Sequence, residues 1–132
     1  MDVNSLLDGL EDASYLKRSE AVQSLRELMK ENDGTLPDNV DFMQFFRILR
    51  SRLQDSNWNV IHQTTLLVME MLPGLGLDLD IYLSMILPMV ICNLGSAKVV
   101  IRTVSQQFIS QYAQNSSNLA TLFTIFARQG LD

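Results

Sequence analysis

Few side chains in this 132-residue sequence could do acid–base, nucleophilic or metal chemistry, and they are scattered. His62 is the only histidine and Cys92 the only cysteine. They give neither a Cys/His pair nor a metal-ligand spacing. His62 reads as a surface or packing residue, because catalysis needs a second positioned group. Asp78 and Asp80 could pair as carboxylates. Two acids ahead of an apolar stretch serve more simply as partners of a helix N-terminal dipole. Pro73-Gly74-Leu75-Gly76 is a turn, and the sequence contains no GxGxxG and no Walker A loop. The residues therefore point away from an enzyme, a resident metal or a cofactor. What remains is non-covalent chemistry. Three polar loops lead into Tyr15-Leu16-Lys17-Arg18, Trp58-Asn59-Val60 and Lys98-Val99-Val100. An aromatic at a loop–helix junction either buries against the previous turn or stands out as a contact anchor. For Tyr15 and Trp58 the two alternatives are evenly matched. Lys98 opens a helix, where a cation opposes the dipole, and a mildly disfavoured charge invites a functional explanation.

The elements that must position these residues follow from spacing. Phe42, Phe45, Phe46, Leu49 and Leu53 fall at i, i+3, i+4, i+7 and i+11. Val60, Thr64, Leu67, Val68 and Met71 fall at i, i+4, i+7, i+8 and i+11, and Ile101, Val104, Ser105, Phe108 and Tyr112 repeat the first pattern. This is the 3.6-residue helical period and not the alternation of a half-buried strand. Met69, Met71, Met85 and Met89 lie on such periodic helices and read as core filling. Predicted helices run roughly Val3–Leu10, Tyr15–Glu31, Asp41–Leu53, Trp58–Leu72, Asp80–Leu94 and Lys98–Gln114. Asp, Ser and Asn stand where helix N-termini need an oxygen acceptor.

The helices recur in pairs. With Leu10, Leu53 and Leu94 in register, the offsets are 43 and 41 residues. Eight residues on stand Arg18, Ile61 and Arg102; eleven on stand Ala21, Thr64 and Ser105, all small. Short side chains there let paired helices approach to roughly 8–10 Å. HEAT-type repeats have a period of roughly 40–47 residues. The expected fold is all-α, a HEAT-repeat α-solenoid of about three and a half helical hairpins. One domain spans 1–132, with repeats at about 1–33, 38–76 and 78–115 and a partial unit at 116–132. Breakers mark the joints: Gly34 with Pro37, Pro73 with Gly74, and Asn115-Ser116-Ser117-Asn118. Pro88 falls inside a first helix, where it should kink it. A fourth unit opens at Leu119–Arg128 with no second helix, so the domain reads as truncated.

Charge narrows the partners. The formal net charge is −5, which disfavours a nucleic-acid binder. Yet Ile81–Leu131 contains no Asp or Glu, and its charges are Lys98, Arg102 and Arg128. That local positive excess suits an acidic partner. The lone cysteine suggests a reducing, cytoplasmic compartment, and the acidic N-terminus is no secretory signal. Ile81–Ala97 is uncharged but interrupted by Pro88, Asn93 and Gly95, and it falls short of the roughly 20 apolar residues that span a bilayer.

Three loop segments resemble a known family. Tyr15-Leu16-Lys17-Arg18-Ser19-Glu20-Ala21 resembles the Trp-Lys-x-Arg-x-Glu-Ala stretch of TOG domains. Leu53-Gln54-Asp55-Ser56-Asn57-Trp58-Asn59-Val60 resembles their second-repeat Leu-x-Asp-x-Asn-x-x-Val loop. Leu94 to Arg102 resembles their third-repeat Leu-Gly-Asp-x-Lys-x-x-Val-Arg loop. Tyr15 stands where the family carries Trp, and Ser96 where it carries Asp. The resemblance covers the whole chain and implies the N-terminal half of a six-repeat domain, closest to the crescerin and cytoplasmic linker-associated types. It implies a non-catalytic module that binds the tubulin heterodimer or the microtubule lattice and regulates microtubule dynamics, at the cytoskeleton or in cilia. Tyr15, Lys17, Asn57, Trp58, Val60, Lys98 and Arg102 would be its tubulin-binding residues. The alternative is a generic HEAT-repeat adaptor for another protein, without tubulin binding.

Overall fold

The computed structural model describes residues 3–35, 40–75 and 79–115. Asp78, Pro37 and the expected fourth unit at 116–132 lie outside them. Among the described residues the structure is all-helical. The six helices are α1 (Val3–Gly9), α2 (Tyr15–Glu31), α3 (Phe42–Arg52), α4 (Trp58–Leu75), α5 (Leu79–Asn93) and α6 (Val99–Asn115). No described helix is long and apolar enough to cross a membrane. Helices α2, α4 and α6 pack side by side in one layer. Helices α3 and α5 pack together in a second layer, and α1 lies on α2.

The small-residue position makes this layering possible. Ala21, Thr64 and Ser105 are all buried, on α2, α4 and α6. At the first hairpin a Cβ added to Gly9 would stand 3.0 Å from that of Ala21, so α1 and α2 touch almost backbone to side chain. Between the layers the core is apolar and aromatic. Phe45, Phe46, Phe108 and Tyr112 are fully buried. Phe46 stacks on Tyr82 of α5 with centroids 5.0 Å apart, which fastens α3 to α5. Met71 is buried, while Met69, Met85 and Met89 pack partly buried against the core.

The loops repeat one another bond for bond. Two residues after each aligned leucine, a side-chain oxygen accepts the backbone N–H two positions on. Asp12 Oδ1 takes Ser14 N at 2.8 Å, Asp55 Oδ1 takes Asn57 N at 2.9 Å, and Ser96 Oγ takes Lys98 N at 3.2 Å. The residue before an aligned leucine reaches back to the preceding one: Arg52 Nη1 donates to Leu10 O, and Asn93 Nδ2 donates to Leu53 O, both at 3.0 Å. Leu10 and Leu53 are fully buried, whereas Leu94 is half-buried.

Two prolines lie inside helices. Pro73 was expected to end the second hairpin, but α4 continues through it to Leu75. A proline lacks the N–H that would bond four residues back. The carbonyl thus released, Met69 O, accepts Gln111 Nε2 of α6 at 2.9 Å. Helix α5 runs through Pro88 as one element.

A candidate protein-docking ridge

The first turns of α2, α4 and α6 emerge from the three loops, and inter-loop contacts bring them together. Arg18 leaves the first turn of α2 and donates Nε and Nη2 to the two carboxylate oxygens of Asp55, at 2.8 and 3.0 Å. Its Nη1 ties the loop below it, donating to Asp12 O and Ala13 O. Arg52 Nη1 adds a second cation to Asp55 at 3.2 Å. The Asp55 side chain is 2% exposed, so this is a buried, bidentate clamp between the first and second loops. Asn59 Nδ2 donates to Ser19 Oγ beside it. Between the second and third loops, Lys98 Nζ lies over the Trp58 ring, 5.3 Å from its centroid. The three loops therefore share one edge.

Along that edge the sequence-derived residues divide. Tyr15 and Trp58 stand out at 49% and 43% exposure, which settles the choice between buried and outward-facing. Lys17 and Lys98 are exposed. Asn57 is half-buried and caps α4: its Oδ1 accepts from Asn59 N at 2.9 Å and Val60 N at 3.4 Å. Val60 is fully buried, so its side chain is not available to a partner. It follows Trp58 by two residues, roughly 200° around the helix, and so faces the core when Trp58 faces water. Arg102 is half-buried and turned back on its own loop, donating Nη1 to Ser96 O at 2.7 Å. It repeats the loop-tying bond of Arg18 and is a structural residue first.

Sequence reasoning missed three others. Leu16, Val99 and Val100 are 59%, 64% and 39% exposed. With Tyr15 and Trp58 they make five of the seven large apolar side chains exposed among the described residues; the others are Met43 and Ile81. Solvent-facing apolar side chains near the helix starts make this edge a candidate interaction surface. The signal was present in the register, since Tyr15, Trp58 and Val99 each stand five residues after an aligned leucine.

Two other clefts lie among the described residues. A shallow cleft of about 500 Å³ is lined by Met69, Gln107, Ser110, Gln111 and Gln114, none of them titratable near neutral pH. A smaller notch carries Glu27 and Glu31 with Ser24 and Leu28. No group of metal-ligating residues assembles among the described residues. His62 is half-buried, and its pKa is lowered by burial and by the Arg26 cation. Arg26 itself is engaged by Glu70 and Gln63 across α2 and α4.

The described residues are all-helical, with an apolar, lysine-bearing ridge at their loops. No family model, no curated protein and no solved structure matches the chain.

Proposed function

We propose that this chain is a HEAT-repeat, TOG-like docking module that holds tubulin, as heterodimer or microtubule lattice, on its loop ridge and performs no chemistry. The observation that carries this reading is the joining of Trp58 and Lys98, from successive hairpins, into one exposed contact with Lys98 Nζ 5.3 Å from the ring centroid. Tyr15 lies on the same edge, held there by the Arg18–Asp55 clamp. An aromatic face with a cation on it suits an acidic protein surface. The recurring loop bonds and the layered helices support a solenoid, in which connecting loops form an extended contact edge. Action on microtubule dynamics, at the cytoskeleton or in cilia, belongs to the same proposal.

Co-sedimentation of the chain with microtubules, and its co-elution with tubulin dimers at low salt, tests the reading. Trp58→Ala combined with Lys98→Glu should abolish binding. Added salt should weaken it, since exposed charges are screened over about 8 Å at physiological ionic strength. Unchanged binding by the double variant would remove the ridge from consideration.

A second reading has one observation in its favour. Val60 and Arg102, two positions the resemblance assigns to tubulin contact, are turned into the structure. A HEAT-repeat adaptor for a different protein needs neither. Retention of another partner at the ridge, with no tubulin bound, would select it.

A further inference from the structure

The ridge repeats more strictly than its loop motifs suggest. Four residues after each aligned leucine stand Ser14, Asn57 and Lys98, the positions that precede α2, α4 and α6. Five residues after stand Tyr15, Trp58 and Val99, the first residue of each helix. The members of this second set are large, apolar and exposed, at 49%, 43% and 64%. Lys98 thus occupies a capping position. Asn57 fills that position with a side-chain oxygen that accepts two N–H groups of α4, whereas an ammonium group can accept none. It also sets a positive charge at the positive end of α6. Ser14 makes no such bond at α2, so the third hairpin carries a cation at a position that Asn57 alone of the three uses as a side-chain cap, and that cation is the one resting on Trp58.

We propose that Tyr15, Trp58 and Val99 form a single contact line, with Val99 the third anchor and Lys98 a steering charge beside it. Neighbouring helices pack roughly 8–10 Å apart, so the line is about 20 Å long. Leu16 and Val100 widen it at either end. The partner it fits is a folded protein surface bearing an apolar strip with one carboxylate set against Lys98. The absence of any Asp or Glu from Ile81 to Leu131 leaves the charge at that end uncompensated by acidic neighbours in sequence. This rests on the tubulin reading above and assigns the roles of the ridge residues within it.

The two roles separate in a salt series, because apolar contact is insensitive to screening and a charge pair is not. Binding of the intact chain to purified tubulin is measured between low and high salt for the parent, Val99→Ser, Lys98→Asn and Trp58→Ala, with circular dichroism confirming helix content. Val99→Ser should weaken binding roughly three- to tenfold at every salt concentration, as expected for losing one partly buried valine contact. Lys98→Asn should weaken binding at low salt only and converge with the parent at high salt. Trp58→Ala should weaken binding throughout. Val99→Ser within twofold of the parent, while Trp58→Ala loses binding, would overturn Val99 as an anchor and leave the ridge standing. Parent-like binding by all the variants, or no tubulin binding by the parent, would overturn the tubulin reading and this inference with it.

Discussion

Replacing Lys98 by Asn should make the protein more stable while making it a poorer binder. Three terms set the size of the gain. Asn at this position can accept from the second and third N–H groups of α6, as Asn57 does for α4 at 2.9 and 3.4 Å. A cap of this kind contributes about 1 kcal/mol. Removing a cation from the helix N-terminus contributes about 0.5 kcal/mol at an exposed site. Against these stands the loss of the Lys98–Trp58 contact, about 0.5–1 kcal/mol where it is open to water. The net is a gain of about 0.5–1 kcal/mol. For a domain of this size that raises Tm by about 2–5 °C. Thermal unfolding followed by circular dichroism, with urea titration as a second measure, reads the effect. Lys98→Ala is the control: it removes the charge and the ring contact without supplying a cap, and should leave Tm nearly unchanged. An Asn variant no more stable than the Ala variant would refute the capping argument. An Asn variant less stable than the parent would show that the lysine serves the fold.

Three other perturbations follow from the buried polar groups. Asp55→Ala removes the acceptor shared by Arg18 and Arg52 and leaves Arg18, whose side chain is 10% exposed, with carbonyl partners alone. Urea unfolding should report a loss of about 3 kcal/mol, with Asp55→Asn costing less because it retains an acceptor for Asn57 N. Thr64 Oγ1 is buried with no hydrogen-bond partner, so Thr64→Val should be neutral or stabilising by up to about 1 kcal/mol in the same assay. The lowered pKa of His62 favours its neutral form in the folded chain. Above its unfolded value of 6.5 both states are neutral, and as pH falls below 6.5 the unfolded state takes up the proton first. Stability should therefore decline from pH 6.5 downward, and His62→Gln should flatten that part of the profile.

The helices were legible because their signals are local. Tyr15–Glu31 begins and ends where the spacing and the polar loop place it. Asp41 caps α3 through Gln44 N, as an acid ahead of an apolar run should. The passage of α4 through Pro73 was not legible. The group that makes it tolerable, Gln111, lies 42 residues further along the chain. Arg18 was equally opaque, since its place is set by Asp55, 37 residues away. Val60 is a different case. A two-residue step turns a helical side chain roughly 200°, so an exposed Trp58 already implied an inward Val60. Val99 is marked only by the register, because the motif that resembles the family places its lysine one residue earlier, at Lys98.

The two joints between hairpins are built differently, and the difference falls at the ridge. The first joint has Arg18 and Asp55, each buried and each fixing its own loop. In register, the second joint would need an arginine at Ile61 and an aspartate at Ser96. Both partners are missing together, which is the arrangement least harmful to stability, because a lone buried charge would be left uncompensated. At the loop edge both joints keep the bond to the preceding leucine carbonyl, from Arg52 to Leu10 O and from Asn93 to Leu53 O, but in place of the buried ion pair the second joint has Lys98 lying on Trp58. A partner that draws Lys98 off the indole thus works against only about 0.5–1 kcal/mol, and no buried ion pair has to open. The aromatic and the cation can be redirected toward a ligand because the fold does not depend on their staying together.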